Sequence, residues 1–280
     1  MKINDEDKIQ VSIITTVFNA KDFLNQSIES IRKQTFRNYE HLIINDGSTD
    51  GTKEYLDTIN DSRIKVIHLE RSGRGISLNR GLQESKGKYI AILDADDYSS
   101  KSRLELQTEI LNENTDCDLI ATSFGIHGVD EMIERPNQLI NYKQHTKMLE
   151  AKDFIFSNPI CHSSVMMRRE LIFDAGLYDE KRKELFDFEL WIRMLNGRKK
   201  VSILKLNLPL IFRNLHENQY FESKKRFNYL IQTYLLRRKL LSVLSHRFIN
   251  ELIIVCVLLY GLLPRFIRKR FMNKSKLGGT

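Results

Sequence analysis

Four times between residues 11 and 93 a run of buried-strand character gives way to a turn or a segment of helical periodicity. Residues 11–17 are β-branched and of strand length. Phe23, Leu24, Ser27, Ile28 and Ile31 follow at helical spacing, with Asn19 placed to cap that helix. Residues 41–44 read as a second strand that breaks into Asn45-Asp46-Gly47-Ser48-Thr49-Asp50-Gly51, turn and cap residues that lead into a helix reaching Ile59. Residues 63–69 read as a strand, 76–85 as a helix and 88–93 as a strand. This alternation predicts an α/β fold with a doubly wound, mostly parallel sheet and right-handed crossovers. Ligands bind such sheets beyond the carboxyl ends of the strands, so Asn19, Asp46 and the cluster at Asp94 are predicted to converge on one crevice.

The last of these strands, Tyr89-Ile90-Ala91-Ile92-Leu93-Asp94-Ala95-Asp96-Asp97, places its carboxylates at the end of an apolar run. Carboxylates there are costly unless a cation or hydrogen-bond donors receive them. Two readings stand: a metal and phosphate site, or an acidic turn in which Asp97 or Ser99 caps the next helix. The glycines of Arg71-Ser72-Gly73-Arg74-Gly75 do not form a dinucleotide fingerprint, and no Gly-x-x-x-x-Gly-Lys-Ser/Thr loop is present. Phosphate must therefore be held by a cation and by basic side chains.

Further along, residues 101–112 read as a helix, 119–123 as a strand, 158–167 as extended chain and 169–175 as a short helix ended by Gly176. Asp187 precedes a helix with Phe188, Trp191, Ile192 and Leu195 on one face, and 201–206 and 210–213 return as two short strands.

The net charge of +8 is not evenly spread. Residues 222–280 hold 13 Lys/Arg against Glu222 and Glu251, a balance of 13 − 2 = +11, so the rest of the chain is slightly acidic. Residues 221–247 read as a cationic helix and 252–263 carry no charge. A bilayer span needs about 20 apolar residues. Pro264-Arg265-Phe266-Ile267-Arg268-Lys269-Arg270-Phe271-Met272 then interleaves cations with bulky apolar groups. That pattern fits a helix lying in the interface of an anionic membrane better than a nucleic-acid site; a final helix packed on the domain or on another subunit is the other reading. Cys117, Cys161 and Cys256 have neither metal-ligand nor disulfide-framework spacing, and the polar first ten residues contain no apolar leader. Both features point to the cytoplasm, here at its membrane face.

Three blocks carry a resemblance. Val11-Ser12-Ile13-Ile14 with Val17-Phe18-Asn19, then Ile43-Ile44-Asn45-Asp46-Gly47-Ser48-Thr49-Asp50, then Lys86-Gly87-Lys88-Tyr89-Ile90-Ala91 with Leu93-Asp94-Ala95-Asp96-Asp97 resemble, in order and spacing, family 2 glycosyltransferases of the GT-A fold. The resemblance implies an inverting enzyme that uses a nucleotide sugar, most often a UDP-sugar, together with Mn²⁺ or Mg²⁺. It implies a GT-A domain at 9–221 (donor half 9–125, acceptor half 126–221), which the charge pattern flanks with a polar segment at 1–8 and a basic helical tail at 222–280. Thr15, Val17, Asn19, Asp46, Arg71, Asn79, Asp94, Ala95 and Asp96 are the implied donor-binding residues. Asp96, Asp97 and His216 are the implied metal ligands, and His162 is implied on the acceptor side. A divalent cation suits a departing diphosphate because it stabilises growing negative charge as a Lewis acid.

The implied base is Asp187, in Leu185-Phe186-Asp187-Phe188-Glu189-Leu190-Trp191, where Phe186 replaces the family's usual Glu; capping the helix is its other reading. Asn45 and Leu78 also stand where the family usually has Asp and Arg. For Arg71 and Arg74 a solvated loop position, and for His162 a structural hydrogen bond, are the alternatives. The implied acceptor is a saccharide, free or lipid-linked, as in surface polysaccharide assembly. A protein that holds a nucleotide sugar without turnover is the rival reading; a nucleotidyltransferase would want a Gly-rich loop after the first strand, which Val17-Phe18-Asn19-Ala20 lacks.

Overall fold

The computed structural model describes residues 9–126, 142–197, 199–214 and 226–263. His216, the 1–8 segment and the basic run from Pro264 fall outside the described residues. A nine-stranded sheet of order β3-β2-β1-β4-β8-β6-β9-β5, with β7 beside β9, forms the centre. Strands β1 (Val11–Val17), β2 (Tyr39–Asp46), β3 (Ile64–Leu69) and β4 (Tyr89–Ile92) are mutually parallel. They alternate with α1 (Lys21–Arg32), α2 (Thr52–Asp57) and α3 (Arg74–Glu84), as the periodicity predicted. The rest of the sheet is mixed. β8 (Met166–Arg168) runs antiparallel to β4 and to β6 (Leu119–Ile126), β9 (Ile203–Arg213) parallel to β6, and β5 (Asp97–Ser99) and β7 (Thr146–Leu149) antiparallel to β9.

The alternation of side chains along each strand supplies two cores. Ile14, Ile90 and Ile92 join Leu78 and Leu82 of α3 and Trp191 and Ile192 of α6 (Phe186–Leu195) on one face. Ile13, Tyr89 and Ala91 meet Ile31 of α1 and Leu104, Ile110 and Leu111 of α4 (Arg103–Glu113) on the other. α5 (Arg169–Asp174) follows β8. Gly87 lies so close to β1 that a Cβ would meet the Ser12 backbone nitrogen, and its own N–H donates to Ser12 Oγ at 2.8 Å. Gly87→Ala is therefore expected to cost about 1–3 kcal/mol of stability, read by urea unfolding; a parent-like midpoint would refute the close approach.

Four expectations are corrected. Asn19 does not cap α1; Ala20 holds that position, and Asn19 turns the chain in the left-handed region at φ 50. Asp97 and Ser99 form β5 rather than a cap, because β9 offers them partners more than a hundred residues away, where local pattern is silent. The extended segment at 158–167 shortens to β8, with a tight helical turn at His162–Ser164 before it. The two late strands are one, β9, whose pairing with β6 slips around Ser123, opposite Pro209; proline has no N–H to give the ladder.

The cationic tail helix is also divided. α7 (Arg226–Lys239) ends in a tight turn at Leu240–Ser242, and α8 (Arg247–Leu262) starts after His246, itself left-handed at φ 54. Leu236 and Leu240 enter the main core, so α7 packs on the domain.

Candidate active site

The exits of β1 and β2 are tied together first. Asn19 Oδ1 accepts from the Thr49 N–H at 2.8 Å and the Asn19 N–H donates to Ser48 Oγ at 3.0 Å. The side chains of Thr15 and Val17 turn into the fold: Thr15 Oγ1 pairs with His41 Nε2 at 2.9 Å, and Val17 packs with Leu24 and Ile28 of α1 and with Ala95.

Asp46 is buried and already supplied with donors: the Ser72 N–H at 2.8 Å, Ser72 Oγ at 3.1 Å, the Gly73 N–H at 3.1 Å and Arg71. Gly47, at φ 69, has no space for a Cβ beside the Arg71 backbone, so this carboxylate organises the loop between β3 and α3. Arg71 in turn lies 3.6 Å above the ring of half-exposed Phe18, giving the crevice a flat cationic-aromatic ledge. Asn79 departs from the donor role. Its amide donates to Tyr178 O and Glu180 Oε1, both at 2.9 Å, and its oxygen accepts the Tyr178 N–H at 2.9 Å, so it clamps the chain after α5.

Beyond β4 the acidic cluster is held from beneath. The Asp94 N–H donates to Ser163 Oγ at 3.0 Å. Fully buried Arg103 donates to Ile92 O at 2.9 Å and Val165 O at 3.1 Å, stitching the end of β4 to the turn that carries His162. Burial by itself would raise the Asp94 carboxyl, but the Arg74 guanidinium, then His162 and Arg213, outweigh it and hold Asp94 well below the usual carboxylate range. Asp97 goes the other way: burial first, then the carboxylates of Asp94 and Asp96, push it up to about 8, against a hydrogen bond with Ser163.

Arg74 joins the two halves of the site. It is ion-paired to Asp94 and sits 4.9 Å over the Phe186 ring. Desolvation works against its charge, yet the carboxylates of Asp94, Asp187 and Asp96, in that order, raise its pKa. Asp187 lies in the first turn of α6, not before it, and its Oδ2 accepts from Asn158 Nδ2 at 2.9 Å. Arg74 is thus placed among the acidic strand end and the carboxylate expected to be the base. His162 is buried behind Asp94. Its Nε2 pairs with the Tyr178 hydroxyl at 2.9 Å, its Nδ1 is 3.6 Å from Asp94, longer than a hydrogen bond, and Phe186 packs against its ring edge-on at 5.3 Å. The position that usually carries a Glu therefore holds an aromatic wall between His162 and Arg74.

Asn158, Tyr178, Ser163 and Arg103 carry no local signal in the chain. Only their partners, tens of residues away, give them a role.

No three His, Cys, Asp or Glu side chains among the described residues form a metal cage by themselves. The donor set nonetheless fits a hard divalent cation: Asp96, partly exposed, and its neighbour Asp97 offer carboxylate oxygens at the end of the acidic strand. Magnesium-type sites commonly use one or two carboxylates and take their remaining oxygens from substrate phosphate and water.

The family model described as Glycosyl transferase family 2 matches residues 12–174, more than half the chain. The protein is a family 2 glycosyltransferase. Its sequence is 33% identical over 72% of the chain to an uncharacterized glycosyltransferase, MJ1057, of Methanocaldococcus jannaschii, covering 70% of that protein. It is 28% identical to the putative glycosyltransferase EpsE of Bacillus subtilis, over 95% of this chain and 96% of EpsE. Among solved structures, the fold of this glycosyltransferase is similar to S. aureus TarS 1-349 in complex with UDP-GlcNAc, with a TM-score of 0.68 at 19% identity over 89% of this chain and 71% of that one. The mannosyltransferase PcManGT from Pyrobaculum calidifontis, in complex with GDP-Man and Mn²⁺, matches with a TM-score of 0.58 at 16% identity over 90% and 70% of the two chains. The GT-A architecture expected from the three sequence blocks is therefore the one observed.

Proposed function

We propose that this glycosyltransferase moves a sugar, with inversion, from a UDP-sugar to a hydroxyl of a saccharide acceptor in surface polysaccharide assembly. The observation that carries the reading is Arg74, ion-paired to Asp94 at the strand end and 4.9 Å over the ring of Phe186, the residue before Asp187. Asp94 belongs to the strand end at which such sheets bind ligands, and Asp187 lies in the first turn of α6 next to the Phe186 that packs on Arg74. Asp96 with Asp97 would hold a divalent cation, which would supply Lewis-acid stabilisation to a departing diphosphate. The chain's own groups do the rest. The Arg71–Phe18 ledge receives the base, and Asp94, fixed by Ser163 and Arg74, orients the donor. Asp187, oriented by Asn158, takes the proton of the attacking hydroxyl. A single base and one displacement leave no covalent intermediate, which is why inversion follows.

The polysaccharide context is supported by the relatives. B. subtilis TuaG, a putative teichuronic acid biosynthesis glycosyltransferase, is 29% identical over 66% of this chain. Purified protein with Mn²⁺ is expected to release UDP slowly from one member of a panel of nucleotide sugars and to stop on chelation. Release from none of them, with no metal-dependent nucleotide binding, would sink the proposal.

A further inference from the structure

Helix α8 presents two unlike faces. Against the protein it buries only Ile254 and Gly261: Ile254 packs with Ile155 and Leu241, and Gly261 lies against Leu230 of α7. Glu251 anchors the other end, pairing with Arg238 at 2.8 Å and Tyr234 at 3.5 Å, so α7 and α8 form an antiparallel hairpin. The outward arc is Phe248, Ile249, Leu252, Leu259, Tyr260 and Leu262, from 39% to 75% exposed and without a charge among them. Six large apolar side chains on one arc of a single helix are more than scattered surface residues would supply.

The helix has 16 residues, so it is about 24 Å long at 1.5 Å per residue, and a bilayer core is about 30 Å thick. No helix among the described residues is long and apolar enough to cross a membrane. The charge of the region is one-signed: 13 Lys/Arg against two Glu over 222–280, with six Lys/Arg and no acid after Leu263. A second copy would cover the apolar arc but would bring the same cations against these. An anionic lipid surface satisfies both features together.

We propose that the outward face of α8 lies in the interface of an anionic membrane and that the α7–α8 hairpin thereby holds the acceptor side of the crevice at the lipid surface. The hairpin is rigidly tied to the base. Arg237 of α7 donates to Phe156 O at 3.1 Å, two residues before the Asn158 that orients Asp187, and Ile155 of the same loop packs on α8. At the other end of α7, Tyr229 neighbours the Leu230 that receives Gly261, and its phenol, raised by burial, also feels the Asp187 charge. Only the consequence for the acceptor rests on the glycosyl-transfer reading: a saccharide carried on membrane lipid would arrive at Asp187 from the side where the protein docks.

The test uses the full chain and vesicles of phosphatidylcholine alone or with phosphatidylglycerol, read by co-sedimentation. Cys256, exposed on α8, carries a polarity-sensitive fluorophore. The parent is expected to bind only the anionic vesicles and to shift the probe to shorter wavelength. The double variant Leu252→Glu with Leu259→Glu is expected to bind at least about tenfold more weakly, with an unchanged melting temperature because both positions are half-exposed. Parent-like binding by that variant would overturn the proposal by assigning the affinity to the basic terminus alone. Loss of a dimer in the variant, without vesicle binding by the parent, would assign the face to a second copy. Donor hydrolysis in solution should be equal in both proteins; its absence from both would defeat the catalytic reading and leave membrane docking standing.

Discussion

Asp187→Asn is expected to lower sugar transfer about 10²–10⁴-fold while leaving metal-dependent donor binding as in the parent. The amide keeps the size of the carboxylate and an oxygen to accept from Asn158, so the first turn of α6 should stay in place. What it loses is a group able to accept the proton of the attacking hydroxyl. Single-turnover transfer alongside calorimetric titration of UDP with Mn²⁺ separates the two effects. Equal transfer by variant and parent would refute the assignment of the base and leave Asp187 as the structural partner of Asn158.

The second large effect is expected at the other side of Arg74. Asp96→Ala should abolish the metal-dependent part of UDP affinity, so that its dissociation constant in Mn²⁺ matches that of the parent in chelator, a loss of about 1.4 kcal/mol for each tenfold change. The reasoning is electrostatic. A diphosphate approaching this cluster meets like charge unless a cation lies between; Asp97 is engaged in β5, Asp94 is ion-paired to Arg74, and Asp96 is partly exposed. Metal-dependent affinity equal to the parent's would move the cation site away from Asp96.

Together these variants also separate turnover from simple donor holding. Phe186 and Asn45, where the family usually has carboxylates, raised that alternative; Asn45 Oδ1 accepts from the Ser48 N–H at 3.1 Å and so shapes the turn after β2, and Phe186 is placed by its ring contacts. In the fold it packs edge-on to His162 and beneath Arg74. It therefore keeps Arg74 at the junction of the two carboxylate groups, a role that does not require a negative charge.

Much of this was legible in the chain because the signals are local. Residues 11–17 become β1 without adjustment, since a β-branched run of that length favours a buried strand, and Leu24, Ser27, Ile28 and Ile31 are the buried face of α1 that their spacing demanded. Asn19, Asp46 and Asp94 lie beyond neighbouring strand ends because parallel strands joined by helices must all end on one side. Asn79 and Asp46 show where that reasoning stops. Both are implied donor-binding residues, yet Asn79 spends its amide on Tyr178 and Glu180, about a hundred residues away, and Asp46 serves the Arg71–Gly73 loop.

By itself, then, the sequence determined the alternating sheet, the side of it on which ligand-binding groups gather, the family, and the one-signed charge of the tail. Periodicity of two or of 3.6 residues and the chemistry of each side chain are properties of neighbours in the chain. Only the tertiary structure decided which carboxylates are already supplied with donors, that Asp97 belongs to β5, that Arg74 stands among Asp94, Asp96 and Asp187, and which face of α8 is left uncovered. Those outcomes depend on partners brought together from distant segments. A carboxylate or a leucine acquires its role from the charges and surfaces that folding sets beside it.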